Sequence, residues 1–543
     1  MTATSSRTAW RVHIITYTLA LVDFAAVLDS TSLSVALPII TRALNGTSIE
    51  AFWVGTSFYL SSTVCQPIIS LISDICGRRF AILSSLVILI TGSILGAVSH
   101  NFTVLLLGRC LQGCGAGGVS VMADVILTDI IPLRDRGKWY GLMSVLSTIG
   151  YITGPLIGGA LAQHASWRWI FWITLPFAGV GLILLTLFLQ LEAESISLRC
   201  RLSNIDYAGI VLFMSSLTSF LIPLAWGGVI YPWTSWHTLV PLIFGAAGLI
   251  AFMTYEHHVA RNPFIPPLIY SNVSSAINYL GVFLLGLIMW TLLYYLPLYY
   301  EAVKGYSTTV AGLAIFPQTL TIGPVGIGVS IAIAKLGRYR WALWTGWVVC
   351  TIGLGLLYPL GVETRIAQWI FLNVPVGLGI AFLLPSIMLG MQASAPPELI
   401  PMSVTLFGTF RSLGRGVGVT LGGVIFQNRM KVYVRQIPHL ADKAAEYSRD
   451  ASALVRVIEM VAVQDDRVNL RTAYAKSLGD VWVALGSASA VGLITSLFVK
   501  GHTMNKGIET RQPLKGARSD DSTEGQVKMK NMISQNEKPE SRS

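Results

Sequence analysis

From its amino end the chain alternates long apolar runs with short polar breaks. At about 20 residues a run is long enough to cross a bilayer as a helix. Runs begin near His13, Ala51, Phe80, Phe102, Trp139, Trp169, Tyr207, Thr238, Ser275, Thr308, Trp341, Ala367, Pro401 and Val481, a count of fourteen. With the amino terminus inside, thirteen basic residues of the breaks lie in the cytoplasm: Arg7, Arg11, Arg78, Arg79, Arg134, Arg136, Lys138, Arg199, Arg201, Arg261, Lys335, Arg338 and Arg340. The short outer loops hold only Arg42, Arg168, Lys304 and Arg365. That asymmetry sets the orientation, because Lys and Arg in short loops stay on the cytoplasmic side. An even number of spans puts both termini inside.

Composition agrees with an all-α polytopic membrane protein. Of 543 residues, 53% are hydrophobic and 12% charged, and mean hydropathy is +0.63, which excludes the soluble class. The net charge of +11 would suit nucleic acid, but the basic residues sit in interhelical breaks and the last forty residues, without a basic helix face. Membrane topology explains them better. Cys65, Cys76, Cys110, Cys114 and Cys350 lie in or beside apolar runs and Cys200 in a cytoplasmic loop, with neither a disulfide framework nor a zinc pattern. The first run, His13 to Pro38, carries Asp23 and Asp29 and reads as a retained signal anchor.

Two breaks are longer. Residues 428–480 form a polar outer segment with helix-like spacing at Leu454, Ile458 and Val461, which reads as an external cap or as a plain solvated loop. Residues 501–543 are rich in Lys, Ser, Glu and Gln and read as a disordered cytoplasmic tail. Asn45-Gly46-Thr47, in the first outer loop, is a candidate glycosylation site; Asn101-Phe102-Thr103 lies too near the bilayer.

In the fifth run, Gly150, Gly154 and Gly158 recur every four residues, with Gly159 beside them and Pro155 within. On a helix they form a side-chain-free groove for a neighbouring backbone, and the proline removes one helical hydrogen bond. The stretch reads either as a tight packing seam or as a bending point. The glycine spacing recurs 264 residues later, at Gly414, Gly418 and Gly422, with Val419 in the proline's place. Gly77-Arg78-Arg79 recurs as Gly337-Arg338-Tyr339-Arg340, 260 residues on. Two matches at nearly one offset imply duplicated six-span halves with two helices inserted between them. The expected parts are a tail (1–12), an N-terminal bundle (13–190), a loop and two inserted helices (191–274), a C-terminal bundle including the outer segment (275–500), and the tail.

The loop after the second run reads Ser70-Leu-Ile-Ser-Asp74-Ile-Cys-Gly77-Arg78-Arg79, a carboxylate facing two guanidinium groups across a glycine turn. It resembles the signature loop of the major facilitator superfamily, although Ser70 stands where Gly is usual and Ile75 where Arg is usual. Leu28-Asp29-Ser-Thr31 through Ala36-Leu37-Pro38, Leu107-Gly-Arg109-Cys-Leu-Gln112-Gly113, and Gly150 to Gly159 narrow the likeness to the fourteen-span drug:proton antiporters, fungal efflux branch. Trp167-Arg168-Trp169 with Leu175-Pro176 fits, with Thr174 for a frequent Asn. Tyr295 to Gly305 fits too, with Glu301 for Gln. The resemblance covers about Trp10 to Lys500. It implies a major facilitator fold of two six-helix bundles plus two inserted helices, and proton-coupled export through alternating access.

The buried charges point the same way. An ionisable side chain near the bilayer centre costs at least about 2.5–3.5 kcal/mol and is rarely left without a partner or a task. Asp29 and Arg109 both fall roughly 10–13 Å below the outer surface at 1.5 Å per residue, so they are candidates to pair. Proton coupling is assigned to Asp29 and Arg109, with Asp23, on another face of the same helix, as a weaker candidate; a permanent ion pair is the alternative. Conformational switching is assigned to Asp74, Gly77, Arg78, Arg79, Gly150, Gly154, Pro155, Gly158 and Gly159. The substrate cavity is assigned to Trp53, Tyr59, Gln66, Gln112, Trp290, Tyr294 and Arg411, the last offered to anionic or carbonyl-rich groups; Tyr295 is a further aromatic candidate. Asp124 and Asp129 are assigned to a helix-end charge network with Arg134 and Arg136.

Gly113-Cys-Gly115-Ala-Gly-Gly118 lies inside an apolar run without a preceding strand, which argues against nucleotide binding. No Gly-x-x-x-x-Gly-Lys-Ser/Thr pattern occurs, and His257 and His258 have no ligand set around them. The expectation is therefore a transporter rather than an enzyme, without cofactor or metal. Its partners are a small amphipathic substrate, protons and the lipid bilayer, and it works as a monomer in the plasma membrane. The alternatives are a vacuolar or siderophore-type carrier and a transport-dead sensor.

Overall fold

The computed structural model describes residues 3–191, 205–228, 230–448, 451–461 and 463–502. Fourteen long helices run through them. They are α1 (Ala3–Ala43), α2 (Ser48–Cys76), α3 (Arg78–Ala97), α4 (Phe102–Ile130), α5 (Leu133–His164), α6 (Trp169–Phe188, with a turn at Ile173), α7 (Tyr207–Trp226) and α8 (Trp236–His258). After a short crossing segment come α9 (Val273–Ala302), α10 (Phe316–Leu336), α11 (Arg340–Leu356), α12 (Ile366–Ser394), α13 (Ile400–Arg435) and α14 (Gln464–Ser496). Eleven are long and apolar enough to cross a membrane on those grounds alone. The others are α2, diluted by Thr56, Ser57, Ser61, Ser62, Thr63 and Gln66; α11, which has only 17 residues; and α13, which carries Arg411, Arg415, Arg429, Lys431 and Arg435. The expected tail lies, from residue 503 onward, outside the described residues, as does the loop holding Arg199, Cys200 and Arg201.

Polar side chains close the helix ends where the breaks were expected. Thr47 and Glu50 form a reciprocal capping box at the start of α2, and Asn101, Asp206, Ser235 and Asn272 cap α4, α7, α8 and α9. Each cap supplies an acceptor to backbone donors that a first helical turn leaves unpaired. Thr47 also holds the Glu50 carboxyl below the usual carboxylate range by hydrogen bonding to its charged form. Asn45 is exposed, in the turn before this cap.

Helices α1 to α6 pack on one another, and so do α9 to α14; α7 and α8 pair as a hairpin. The two sets meet mainly where α5 lies on α10 and where α13 lies on α2 and α4, and α7 touches both α2 and α13. Ile183, Ile243, Phe244, Ile250, Phe371 and Ile494 point outward and are largely exposed, the dress of helices whose outer face meets lipid rather than water.

The two glycine grooves let one helix press on the backbone of another in each half. A Cβ on Gly154 would lie 1.9 Å from Thr31 Oγ1, and one on Gly158 would lie 2.0 Å from Ser32 O, so α5 seats against the backbone of α1. On α13, Gly414 would meet Phe283 O at 2.1 Å and Gly418 would meet Leu287 O at 2.5 Å, so α13 seats against α9 in the same manner. α5 runs as one helix through Pro155. The polar outer segment is also more helical than its composition suggested. α13 extends to Arg435, α14 starts at Gln464, and a short helix at Ala451–Met460 buries Leu454 and Ile458 in the core.

Candidate functional site

Two polar constellations lie in the middle of the helices. The first is sealed. Arg109 Nη1 of α4 meets Asp29 Oδ2 of α1 at 2.9 Å, with the two side chains 1% and 0% exposed. Gln112, one turn after Arg109 on the same face, accepts from Arg109 Nη1 and donates to Asp29 Oδ1, each at 2.9 Å. It also donates to Ser93 Oγ of α3 at 2.9 Å. Arg109 Nε donates to Val54 O of α2 at 3.2 Å, and the guanidinium lies 4.3 Å from the Phe58 ring centroid. Four helices thus satisfy one ion pair. Burial on this scale is tolerated only when the remaining donors and acceptors are also used.

The second constellation is a cavity of about 190 Å³ between the two sets of helices. Its wall includes Asp23, Ser120, Asp124, Ser147 and Tyr151 on one side and Trp290, Gln318, Met388, Phe407 and Arg411 on the other. Asp23 accepts from Ser120 Oγ at 2.7 Å and from Ser147 Oγ at 2.9 Å. Arg411 lies over the Phe407 ring at 5.2 Å. One turn along α13, Arg415 lies 4.1 Å from the Tyr59 ring and 4.9 Å from Trp290, whose other edge meets Tyr151 at 5.7 Å. Neither Arg411 nor Arg415 has a carboxylate partner among the described salt bridges. Aromatic faces hold Arg415 instead, through cation–π attraction.

Below the cavity, the ends assigned to the cytoplasm join across the two sets. Arg136 of α5 donates from Nη1 to Gln392 Oε1 of α12 at 2.7 Å, and Gln392 Nε2 donates to Tyr140 OH at 3.0 Å. Thr405 of α13 donates to Ser70 Oγ of α2 at 2.7 Å. The Asp74–Gly77–Arg78 turn is closed as well. Arg78 pairs with Asp74, and its Nε meets Asp129 Oδ2 at 3.0 Å, while Gly77 takes a φ of 97° that favours glycine. Arg79 ties the turn to α6 through Thr186 O at 2.7 Å.

The family model described as Major Facilitator Superfamily matches residues 19–198 and 206–419. The chain belongs to the Major Facilitator Superfamily. Within it, the chain falls in the fungal efflux branch. It is 44% identical over 506 residues to the "MFS transporter L2" of a Phoma species, covering 93% of this chain and 85% of that one. It is 31% identical over 528 residues to the "MFS efflux transporter aclA" of Aspergillus oryzae, covering 96% and 95%. Among solved structures, the human organic anion transporter MFSD10 aligns over 89% of this chain and 99% of its own with a TM-score of 0.53 at 14% identity, a likeness of fold. This superfamily member is an integral membrane transporter and not an enzyme.

Against that identity, the expected residues separate into groups. Asp29 and Arg109 form the pair their depths suggested. Gln112, expected in the cavity, instead locks that pair, because its spacing from Arg109 puts its amide and the guanidinium on one face of α4. Trp290 and Arg411 line the cavity; Tyr59 backs Trp290 at 6.3 Å between ring centroids without lining it. Trp53 lies against Trp226 of α7 at 6.0 Å, Gln66 is buried beside Gly408, and Tyr294 is 46% exposed on the outside. Tyr295 packs on Gly422. Of the two acids expected in a helix-end charge network, Asp124 instead lines the cavity, while Asp129 pairs with Arg78 and lies within electrostatic reach of Arg136; Arg136 bonds backbone carbonyls of the α4–α5 turn and Gln392, and the Arg134 side chain lies outside the described residues. Asp23, the weaker candidate, is the acid that faces the cavity from α1. Arg415, Tyr151 and Gln392 were not foreseen; a polar residue inside an apolar run was the available signal.

Proposed function

We propose that this transporter is a proton-coupled antiporter of fourteen spans. It exports a small amphipathic compound, such as a fungal secondary metabolite or xenobiotic toxin, by alternating access. The observation that carries the reading is the sealed Asp29–Arg109–Gln112 cluster, which lies apart from the cavity lining. A carboxylate held by a guanidinium without water exchanges a proton only when the helices around it shift, so protonation and conformation are linked. Protonating Asp29 removes the charge that fixes Arg109 and frees α1 against α4. The cavity, with two carboxylates, a guanidinium and aromatic walls, suits a compound that is partly apolar and rich in carbonyl or hydroxyl groups. The names of the fungal relatives support export as the direction. Inward proton flow then drives it, with each charge crossing worth about 2.3 kcal/mol per 100 mV plus the pH difference. The plasma membrane is the expected site; the vacuolar membrane is the second.

Purified protein in proteoliposomes under an imposed pH gradient tests the reading. Substrate flux should follow the gradient, collapse with an uncoupler, and lose its proton dependence in Asp29→Asn. Uncoupler-insensitive flux overturns antiport, and ligand binding without flux points to a sensor.

A further inference from the structure

Far from the cavity, the inserted hairpin brings two carboxylates together at its cytoplasmic end. Asp206 caps α7, its Oδ1 accepting from Gly209 N at 2.9 Å and from Tyr255 OH at 3.0 Å. Glu256, near the end of α8, is 4% exposed, and its Oε2 accepts from Ile265 N at 3.3 Å. The second oxygen of each, Asp206 Oδ2 and Glu256 Oε1, is buried without a hydrogen-bond partner among the described residues. These two oxygens converge on one point: a Cβ on Gly209 would lie 2.3 Å from the first and 2.7 Å from the second. The glycine leaves the gap into which both project.

Two anionic oxygens that reach the same gap, both shielded from water, repel each other, and a proton shared between them replaces the repulsion with attraction. Tyr255 on α8 and Tyr270 on the crossing segment interact with them, and the titratable residues next along the chain are Tyr207, His257, His258 and Arg261. Among the described residues neither carboxylate forms a salt bridge, and no group of three metal-ligating side chains occurs. We propose that Asp206 and Glu256 bind one proton between Oδ2 and Oε1, as a carboxylic acid–carboxylate pair that fastens α7 to α8. The hairpin is wedged where the two helix sets meet. Trp226 of α7 touches Trp53 of α2, and Thr420 Oγ1 of α13 donates to Leu224 O at 2.7 Å. The pair therefore makes this wedge sensitive to cytoplasmic pH, independently of Asp29 and of the direction of transport.

Thermal unfolding of the full-length protein in detergent, from mildly acidic to mildly alkaline pH, tests the site. The folded pair holds its proton more tightly than the separated side chains do. Its stabilisation is therefore present at low pH and lost as pH rises. Wild-type Tm should fall relative to that of E256Q as pH rises, because the Gln amide keeps a donor in the gap at every pH. D206N should behave like E256Q, since Asn still caps a helix. A protonated-carboxyl infrared band of the wild type should vanish in E256Q. The proposal is overturned if wild type and E256Q keep the same Tm difference at every pH. It also falls if added sodium or calcium raises the Tm of the wild type but not of E256Q, which would mean a cation fills the gap. A third overturning result is R199A/R201A abolishing the pH dependence as E256Q does, which would mean a guanidinium fills it.

Discussion

The α1/α5 and α9/α13 interfaces are built on one plan and differ in what they do with charge. In both, a row of glycines lets one helix press on the backbone of another, at Ser32 O in the first and Phe283 O in the second. Beside the first, charge is closed on itself: Asp29, Arg109 and Gln112 satisfy one another out of reach of the cavity. Beside the second, Arg411 lines the cavity and Arg415 is held by the rings of Tyr59 and Trp290 rather than by an acid. The glycines therefore answer a packing need common to both sets of helices. The division of labour lies in the charges: the first set stores one ion pair and turns the Asp23 and Asp124 carboxylates to the cavity, and the second turns the Arg411 guanidinium to it.

The largest test of this contrast is to remove one arginine from each side. Arg109→Ala strands a fully buried carboxylate and should cost about 3–5 kcal/mol. Arg415→Ala leaves no buried acid behind and should cost about 0.5–2 kcal/mol, the scale of its cation–π contacts. Thermal unfolding in detergent compares them, and equal losses would erase the distinction. Next in size are Gly158→Ala and Gly414→Ala. Each drives a methyl group into a carbonyl oxygen of the opposing backbone, at 2.0 and 2.1 Å, and each should cost about 1–3 kcal/mol or more. Similar losses in Tm support a shared packing role; a loss on one side only would make the groove specific to that half. Smallest in stability is Pro155→Val, which copies the Val419 of the other half. It should leave Tm nearly unchanged while altering proton-driven export in proteoliposomes, and unaltered export would reduce the motif to packing.

What was legible follows from how far each signal reaches along the chain. The helices were visible because a bilayer asks for about 20 apolar residues in a row, a local demand. The helical Ala451–Met460 within the polar outer segment was visible only as a spacing of Leu454, Ile458 and Val461. The pairing of Asp29 with Arg109 was legible because two charges in apolar runs at similar depth have few other partners. Gln112 and Asp124 were misplaced for the opposite reason. A polar residue on α4 can turn to the ion pair or to the cavity, and only the rotation of the helix against α1, α2 and α13 decides which. Arg415 was hidden behind its own motif, since the glycines around it drew the eye to packing.

By itself the sequence determined the apolar runs, the repeated glycine grooves and the family. Each is written in spacing or composition and needs no partner from elsewhere in the chain. Only the tertiary structure decided that Asp23 and Asp124 face the cavity while Asp29 does not, that Arg136 reaches Gln392 across the two sets, and that Asp206 and Glu256 point at the same gap beside Gly209. The reason is physical: a helix fixes the angles between its own side chains, but its roll and its neighbours are set by packing against the others.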